Sequence, residues 1–249
     1  MRFAGRFHIA ALSCVLLAAS APAAFPAPDV QRVVIDDFSA GVPGAPPPGW
    51  KDYRLPRKKN PTVYRVEKDG EDRFLKAESS EAASAIYKEL RFDIRKTPIL
   101  RWRWKVDHTL KKGDEARQGG DDYAARIYVT FEYEPDKATF FEKVKRAFAE
   151  KLFGIRLPGN TVNYIWANRL PRNRSAPNPF TDKVVMVAVE SGNIYAGRWM
   201  NEERDVYADY RRLFNDEPPA VTGIVIMTDT DNTRESAAGY YGAISFNAR

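Results

Sequence analysis

Near the end of the chain an apolar run, "VTGIVIM", passes directly into "TDTDNTRES". Asp229, Asp231 and Thr233 place oxygen-bearing side chains at alternate positions, the spacing with which a calcium loop converges hard ligands on a cation. An EF-hand does not fit. Arg234 stands where its glycine belongs, and Tyr240 stands where its bidentate glutamate belongs. What remains is a structural calcium site of another kind, with Asp229, Asp231 and Glu235 as ligands, or an Asx-type turn whose side chains satisfy the backbone. Beyond that possible calcium no cofactor is expected.

Four further stretches carry groups suited to binding or catalysis. "GDDYAAR" sets Asp121 and Asp122 at the entry to a strand whose polar face bears Arg126 and Tyr128. The planar guanidinium and the carboxylates either form a partly buried ion-pair network or grip adjacent sugar hydroxyls. In "ILRWRWKV" the alternation turns Arg103 to the polar side, away from Trp102 and Trp104. "NYIWAN" presents Trp166, with Asn168 at the strand end, as an aromatic platform beside an amide, or as a core plug. Glu190 closes the apolar run "VVMVAVE" on the side of Val184, Met186 and Ala188, and needs a partner or solvent there. Facing Asp121, Asp122, Asp229 or Asp231, it would make the acid and base pair of a glycosidase.

Much chemistry is excluded by composition. The sole cysteine, Cys14, and one of the two histidines, His8, fall in an N-terminal segment expected to be removed, which leaves His108 as the single imidazole. Disulfides, thiolate zinc sites and histidine-rich metal sites are therefore not available. No G-x-S-x-G elbow, P-loop or dinucleotide fingerprint is present.

The elements that must position these residues read as strands. Short alternating segments recur: "RVVIDDF", "TVYRVEK", "RFLKAES", "SAIYKEL", "ILRWRWKV", "YAARIYVTFEY", "TVNYIWAN", "KVVMVAVES", "VTGIVIMTD" and "YYGAISF". Two stretches change to a helical period, "KATFFEKVKRAFAEKLFG" and "NEERDVYADYRRLF". Nothing alternates strand with helix. The expectation is an all-β fold with two helical insertions, an antiparallel β-sandwich of jelly-roll or galactose-binding-like type. Arg2 and Arg6, the apolar residues 9–19 and the small residues that follow have the order of a secretory signal peptide. The expected organisation is a signal peptide over 1–24, a linker over 25–31 and one domain over 32–249. The apolar stretch is about half the length that spans a bilayer. A periplasmic or secreted location, with no transmembrane anchor after removal of the signal, follows as an expectation. The formal charge of +6 falls to about +4 without Arg2 and Arg6, which suits anionic envelope surroundings. Export makes nucleic acid an unexpected partner, and the sequence does not set an oligomeric state.

Taken together, "WRWKV", "GDDYAARIYVTF", "NYIWAN", "VAVESG", "ERDVYADYRRLF" and "MTDTDNTRESAAGYYGAISF" closely resemble domain-of-unknown-function family 3047 of secreted bacterial proteins. The resemblance spans nearly the whole mature chain and brings no established activity. It implies an exported single-domain protein whose fold is similar to the sandwiches of many carbohydrate-binding modules. The expected function is binding of a glycan or envelope polymer. Alternatives are a carboxylate-dependent glycoside hydrolase or lyase and an envelope scaffold.

Overall fold

The computed structural model describes residues 31–54, 60–138 and 158–249. The expected signal peptide, nearly all of the linker and most of the first expected helix lie outside the described residues. Strands dominate the rest, because β-branched and aromatic side chains at alternate positions fit a pleated surface buried on one side. They form two sheets. The first runs β11 (Met200–Asp205), β6 (Ile99–Val106), β13 (Ser236–Asn247), β4 (Asp72–Ser80) and β3 (Val63–Asp69), with β1 (Arg32–Asp36) paired to the last part of β13. The second runs β2 (Lys51–Arg54), β5 (Ala83–Phe92), β12 (Val221–Asp229), β7 (Arg126–Phe131), β8 (Thr161–Ala167), β10 (Thr181–Ser191) and β9 (Ser175–Asn178).

The sheets face one another across a core of large side chains. Leu100, Trp102, Trp104 and Val106 of β6 meet Tyr164 and Trp166 of β8, with Trp102 against Tyr164 at 5.5 Å and Trp104 against Trp166 at 5.8 Å between ring centres. Each such ring removes a large apolar area from water, so truncating fully buried Trp104 to alanine should cost about 3–5 kcal/mol. Tyr241 crosses between the layers: its hydroxyl donates to Met227 O at 3.0 Å and accepts from Arg126 N at 3.2 Å. Gly239 is required at this crossing, since a Cβ there would stand 2.3 Å from Ala124 O.

The two-sheet sandwich matches the sequence expectation, with three local differences. β10 pairs with β8 in parallel, so the second sheet is mixed rather than purely antiparallel. The second expected helix is half strand: residues 200–205 form β11, and helix α1 (Val206–Phe214) begins only after Asp205, whose carboxylate accepts from Ala208 N at 2.9 Å. β13 begins at Ser236, not at Tyr240, so the polar connection is six residues, 230–235, and it carries the chain from the second sheet to the first. No helix of the described residues is long and apolar enough to cross a membrane.

Candidate functional site

Residues directly opposite on paired strands share a face, so the register of the second sheet lays out its outer surface. One row across it runs Lys51, Tyr87, Val225, Tyr128, Asn163 and Met186. The next runs Tyr53, Ala85, Met227, Arg126, Ile165 and Ala188. The surface deepens from the β2 edge inward: Lys51 is exposed, Tyr53, Tyr87 and Tyr128 are half-buried, and Arg126 and Asn163 are buried. Ala83 and Ala85 keep the floor between the tyrosines low.

Arg126 is the centre of this face. Its Nη2 donates to Asp229 Oδ2, its Nη1 lies 3.7 Å from Asp121 Oδ2, and its guanidinium packs over the rings of Tyr123 at 4.8 Å and Tyr128 at 5.5 Å. The preceding loop brings the acids in. A 3-10 turn, Gln118–Gly120, ends at Asp121. Tyr123 then pairs with Asp229, its N–H donating to Oδ1 at 3.3 Å while Asp229 N donates to Tyr123 O at 3.1 Å. Asn178 Nδ2 donates to Asp121 Oδ2 at 3.1 Å. Asp122 accepts from Asn232 Nδ2 at 2.9 Å and from Thr233 N at 2.6 Å, tying the connection 230–235 to the same place.

Charge and hydrogen bonding are unbalanced here. Asp121, Asp122 and Asp229 are all buried, and Asp121 and Asp229 flank the buried guanidinium of Arg126. Burial pushes the Asp229 carboxyl well above its ordinary value, and the charges of Asp122 and Asp121 add to this against the pull of Arg126. Burial works against the charge of Arg126, yet Asp229 and its other neighbours raise its pKa, so it stays protonated. Burial also raises Tyr128 and Tyr123, keeping both as neutral phenols. Arg126 Nε and Nη1, Asp121 Oδ1 and both side-chain polar atoms of Asn163 are buried and find no hydrogen-bond partner among the described residues. Each such group costs roughly 1–3 kcal/mol, and five such atoms are gathered on Arg126, Asp121 and Asn163.

Among the described residues, the trio that could hold a hard cation is Asp122, Asp229 and Asp231, whose ligand atoms lie within 4.8 Å of one another. Calcium binds oxygen at about 2.3–2.6 Å, so ligand atoms on opposite sides of one ion stand about 5 Å apart. Glu235 is not with them. Its carboxylate accepts from the backbone amides of Lys111 at 3.2 Å and Lys112 at 2.9 Å, because Arg234 takes a left-handed conformation (φ 56°) and the chain turns away before it.

The structure thus gathers Asp121, Asp122, Arg126, Tyr128, Asp229 and Asp231, and scatters the other sequence candidates. Arg103 lies on the outer face of the first sheet, paired with Asp72 and stacked on Trp199 at 4.6 Å. Trp166 is wholly buried between the sheets, its indole donating to Gly192 O at 3.0 Å. It is a core residue and not a platform. Asn168 is a buried tie, accepting from Leu110 N at 2.8 Å and donating to Asp122 O at 2.8 Å. Glu190 is displaced by a bulge between Ala188 and Glu190, which sets it beside Trp166 on the inner face instead of beside Ala188. There it contacts Glu202 of β11, to which Trp104 Nε1 donates at 3.1 Å, and Arg172 Nη2 stands 3.3 Å from Glu190 Oε1. Burial raises Glu190 despite Arg172. Burial and the neighbouring Glu190 push Glu202 up to about 7 despite the Trp104 hydrogen bond. Glu190 therefore faces Glu202 across the layers and faces none of the four aspartates. Sequence reasoning passed over Asn163, Tyr123, Asn178 and Glu202. Asn163 had a signal, a lone amide inside the apolar strand "TVNYIWA".

Residues 48–245 match the family described as "Protein of unknown function (DUF3047)". The chain belongs to that family. No curated protein matches. Among solved structures the chain is similar to the glycoside hydrolase domain of Spr0440, Endo-D from Streptococcus pneumoniae R6, at 10% identity and a TM-score of 0.31. The match covers 79% of this chain and 21% of that one, so the chain spans about a fifth of the length of that structure, and at this score the likeness carries no argument.

Proposed function

We propose that this family member is exported, freed of its leader, and binds a glycan or similar envelope polymer on the outer face of its second sheet. The observation that carries the reading is the set of buried polar atoms on Arg126, Asp121 and Asn163 that lack a hydrogen-bond partner among the described residues, beside the half-buried Tyr53, Tyr87 and Tyr128. A sugar ring supplies both hydroxyl donors and acceptors for such atoms, and an apolar C–H face for tyrosine rings. A guanidinium flanked by carboxylates suits vicinal hydroxyls, because each group holds two directed hydrogen bonds in one plane. Asp121 and Asp229 beside Arg126, with Asp122 close to Asp229, disfavour a phosphate or sulfate in the same place.

Screening the protein against an array of bacterial polysaccharides, alongside Tyr128→Ala, tests this. Binding by the wild type that drops about tenfold or more in the variant, as for loss of an aromatic anchor, is the expected result. No binding to any glycan would remove the reading. Capture of an envelope protein by a surface that Tyr128→Ala leaves intact would favour a scaffold.

A second reading is favoured by the closeness of Asp122, Asp229 and Asp231. Calcium held by these residues would neutralise the excess negative charge beside Arg126 and stiffen the connection 230–235. It would serve the same face structurally rather than replace the glycan reading.

A further inference from the structure

One end of the sandwich combines rigidity, exposed apolar side chains and unpaired positive charge. Three loops meet there. Asn193 Oδ1 accepts from Thr109 N at 2.7 Å and from Thr109 Oγ1 at 3.2 Å, and Asn168 Oδ1 accepts from Leu110 N at 2.8 Å. Arg169 Nη2 donates to Lys111 O at 3.1 Å. The loop 192–199 is held further by Gly192 N to Ala167 O at 2.9 Å, Gly197 N to Val106 O at 2.8 Å and Arg198 N to Tyr195 O at 3.2 Å. Despite these ties its tip points apolar groups at solvent. Ile194 is 80% exposed, the highest value for any large apolar side chain among the described residues, and Tyr195 beside it is 38% exposed.

Lys111, Arg169 and Arg198 lie on the three loops tied together at this end. All three are exposed, and their side chains make no ion pair among the described residues. The carboxylates at this end are committed elsewhere: Glu235 to the amides of Lys111 and Lys112, Glu115 to the amides of Asn168, Arg169 and Leu170, and Asp114 to Arg117. An aliphatic and an aromatic side chain on a stiff tip, beside exposed cations, is the arrangement that inserts into a headgroup layer while its charges meet anionic lipid. A soluble polyanion would use the cations and leave Ile194 in water.

We propose that this loop end docks on an anionic phospholipid bilayer, with Ile194 and Tyr195 entering the interface and Lys111, Arg169 and Arg198 facing the headgroups. The proposal is independent of the glycan reading, which concerns a different face. Sedimentation with vesicles tests it, using phosphatidylcholine alone and phosphatidylcholine with phosphatidylglycerol in equal parts. Binding to the mixed vesicles, and little to the neutral ones, is expected. Ile194→Asp should weaken that binding about tenfold or more, as for loss of a buried aliphatic side chain, and leave the melting temperature unchanged because the side chain is already exposed. Replacing Lys111, Arg169 and Arg198 together by glutamine should abolish the preference for anionic vesicles and its salt dependence. Failure to bind either vesicle overturns the proposal, and so does equal binding by Ile194→Asp. Retention on soluble dextran sulfate without vesicle binding would also overturn it, reassigning the cations to a polyanion.

Discussion

Arg126 holds its charge in a buried setting because Asp229 and Asp121 flank it and two tyrosine rings cover it, and yet two of its nitrogens find no acceptor among the described residues. Arg126→Lys should retain the fold and the charge, lose the planar fork, and weaken glycan binding by about tenfold to a hundredfold, one or two steps of 1.4 kcal/mol. Titration of both proteins with the glycan found in the array checks this. Asn163 separates function from stability more sharply. Replacing it by leucine removes two unsatisfied buried atoms, so the variant should gain roughly 1 kcal/mol in denaturant unfolding while losing glycan binding. If Asn163→Leu is destabilised and binds normally, the amide is structural. Asp121, Asp122, Arg126 and Tyr128 were legible in "GDDYAARIY" because carboxylates next to a strand with a polar face predict a network. Their number and partners were not legible, since Asn163 and Asn178 enter from strands that are distant in sequence.

At the scale of elements, the alternation of "ILRWRWKV" and "YAARIYVTF" identified β6 and β7 and the faces of their side chains correctly. It failed at β10 because a bulge breaks the period of two after Ala188, which moves Glu190 from the outer face to the inner one. Its partner Glu202 was hidden by the helical look of "NEERDVYADYRRLF", whose first part is the edge strand β11. The pair gives the molecule a pH dependence. The folded Glu202 carboxyl sits at about 7, above its ordinary 4.5. The stability it contributes is therefore complete below about pH 4.5 and is lost as pH rises through about 7, an effect of roughly 3 kcal/mol. Among the described residues Arg172 is the charged group facing the pair from the adjoining loop. Glu202→Gln should flatten the profile of unfolding free energy between those two pH values and should exceed the wild type in stability at pH 8. A slope identical to that of the wild type would show that Glu202 titrates normally.

The sandwich as a whole was foreseeable, since ten short alternating segments without alternating helices leave few other ways to bury one face of each strand. The parallel pairing of β8 with β10 was not, because it depends on how the intervening chain crosses and not on any local pattern. Whole-molecule stability is also where a cation would register. If Asp122, Asp229 and Asp231 hold calcium, the ion at about a hundred times its dissociation constant adds about 2.7 kcal/mol. A chain of this size then melts roughly 5–10 °C higher than in chelator. Asp231→Asn should remove most of that difference, and no shift in the wild type would dismiss the ion.

The central claim is that the outer face of the second sheet is completed by a sugar. A crystal structure of the protein with the oligosaccharide selected from the array tests it most directly. The account predicts a sugar ring against Tyr128 and, since these atoms are closed to solvent in the free protein, side chains shifted so that sugar hydroxyls reach Arg126 Nε and Nη1, Asp121 Oδ1 and the Asn163 amide. A sugar bound elsewhere, with those atoms still turned only toward protein, would contradict it.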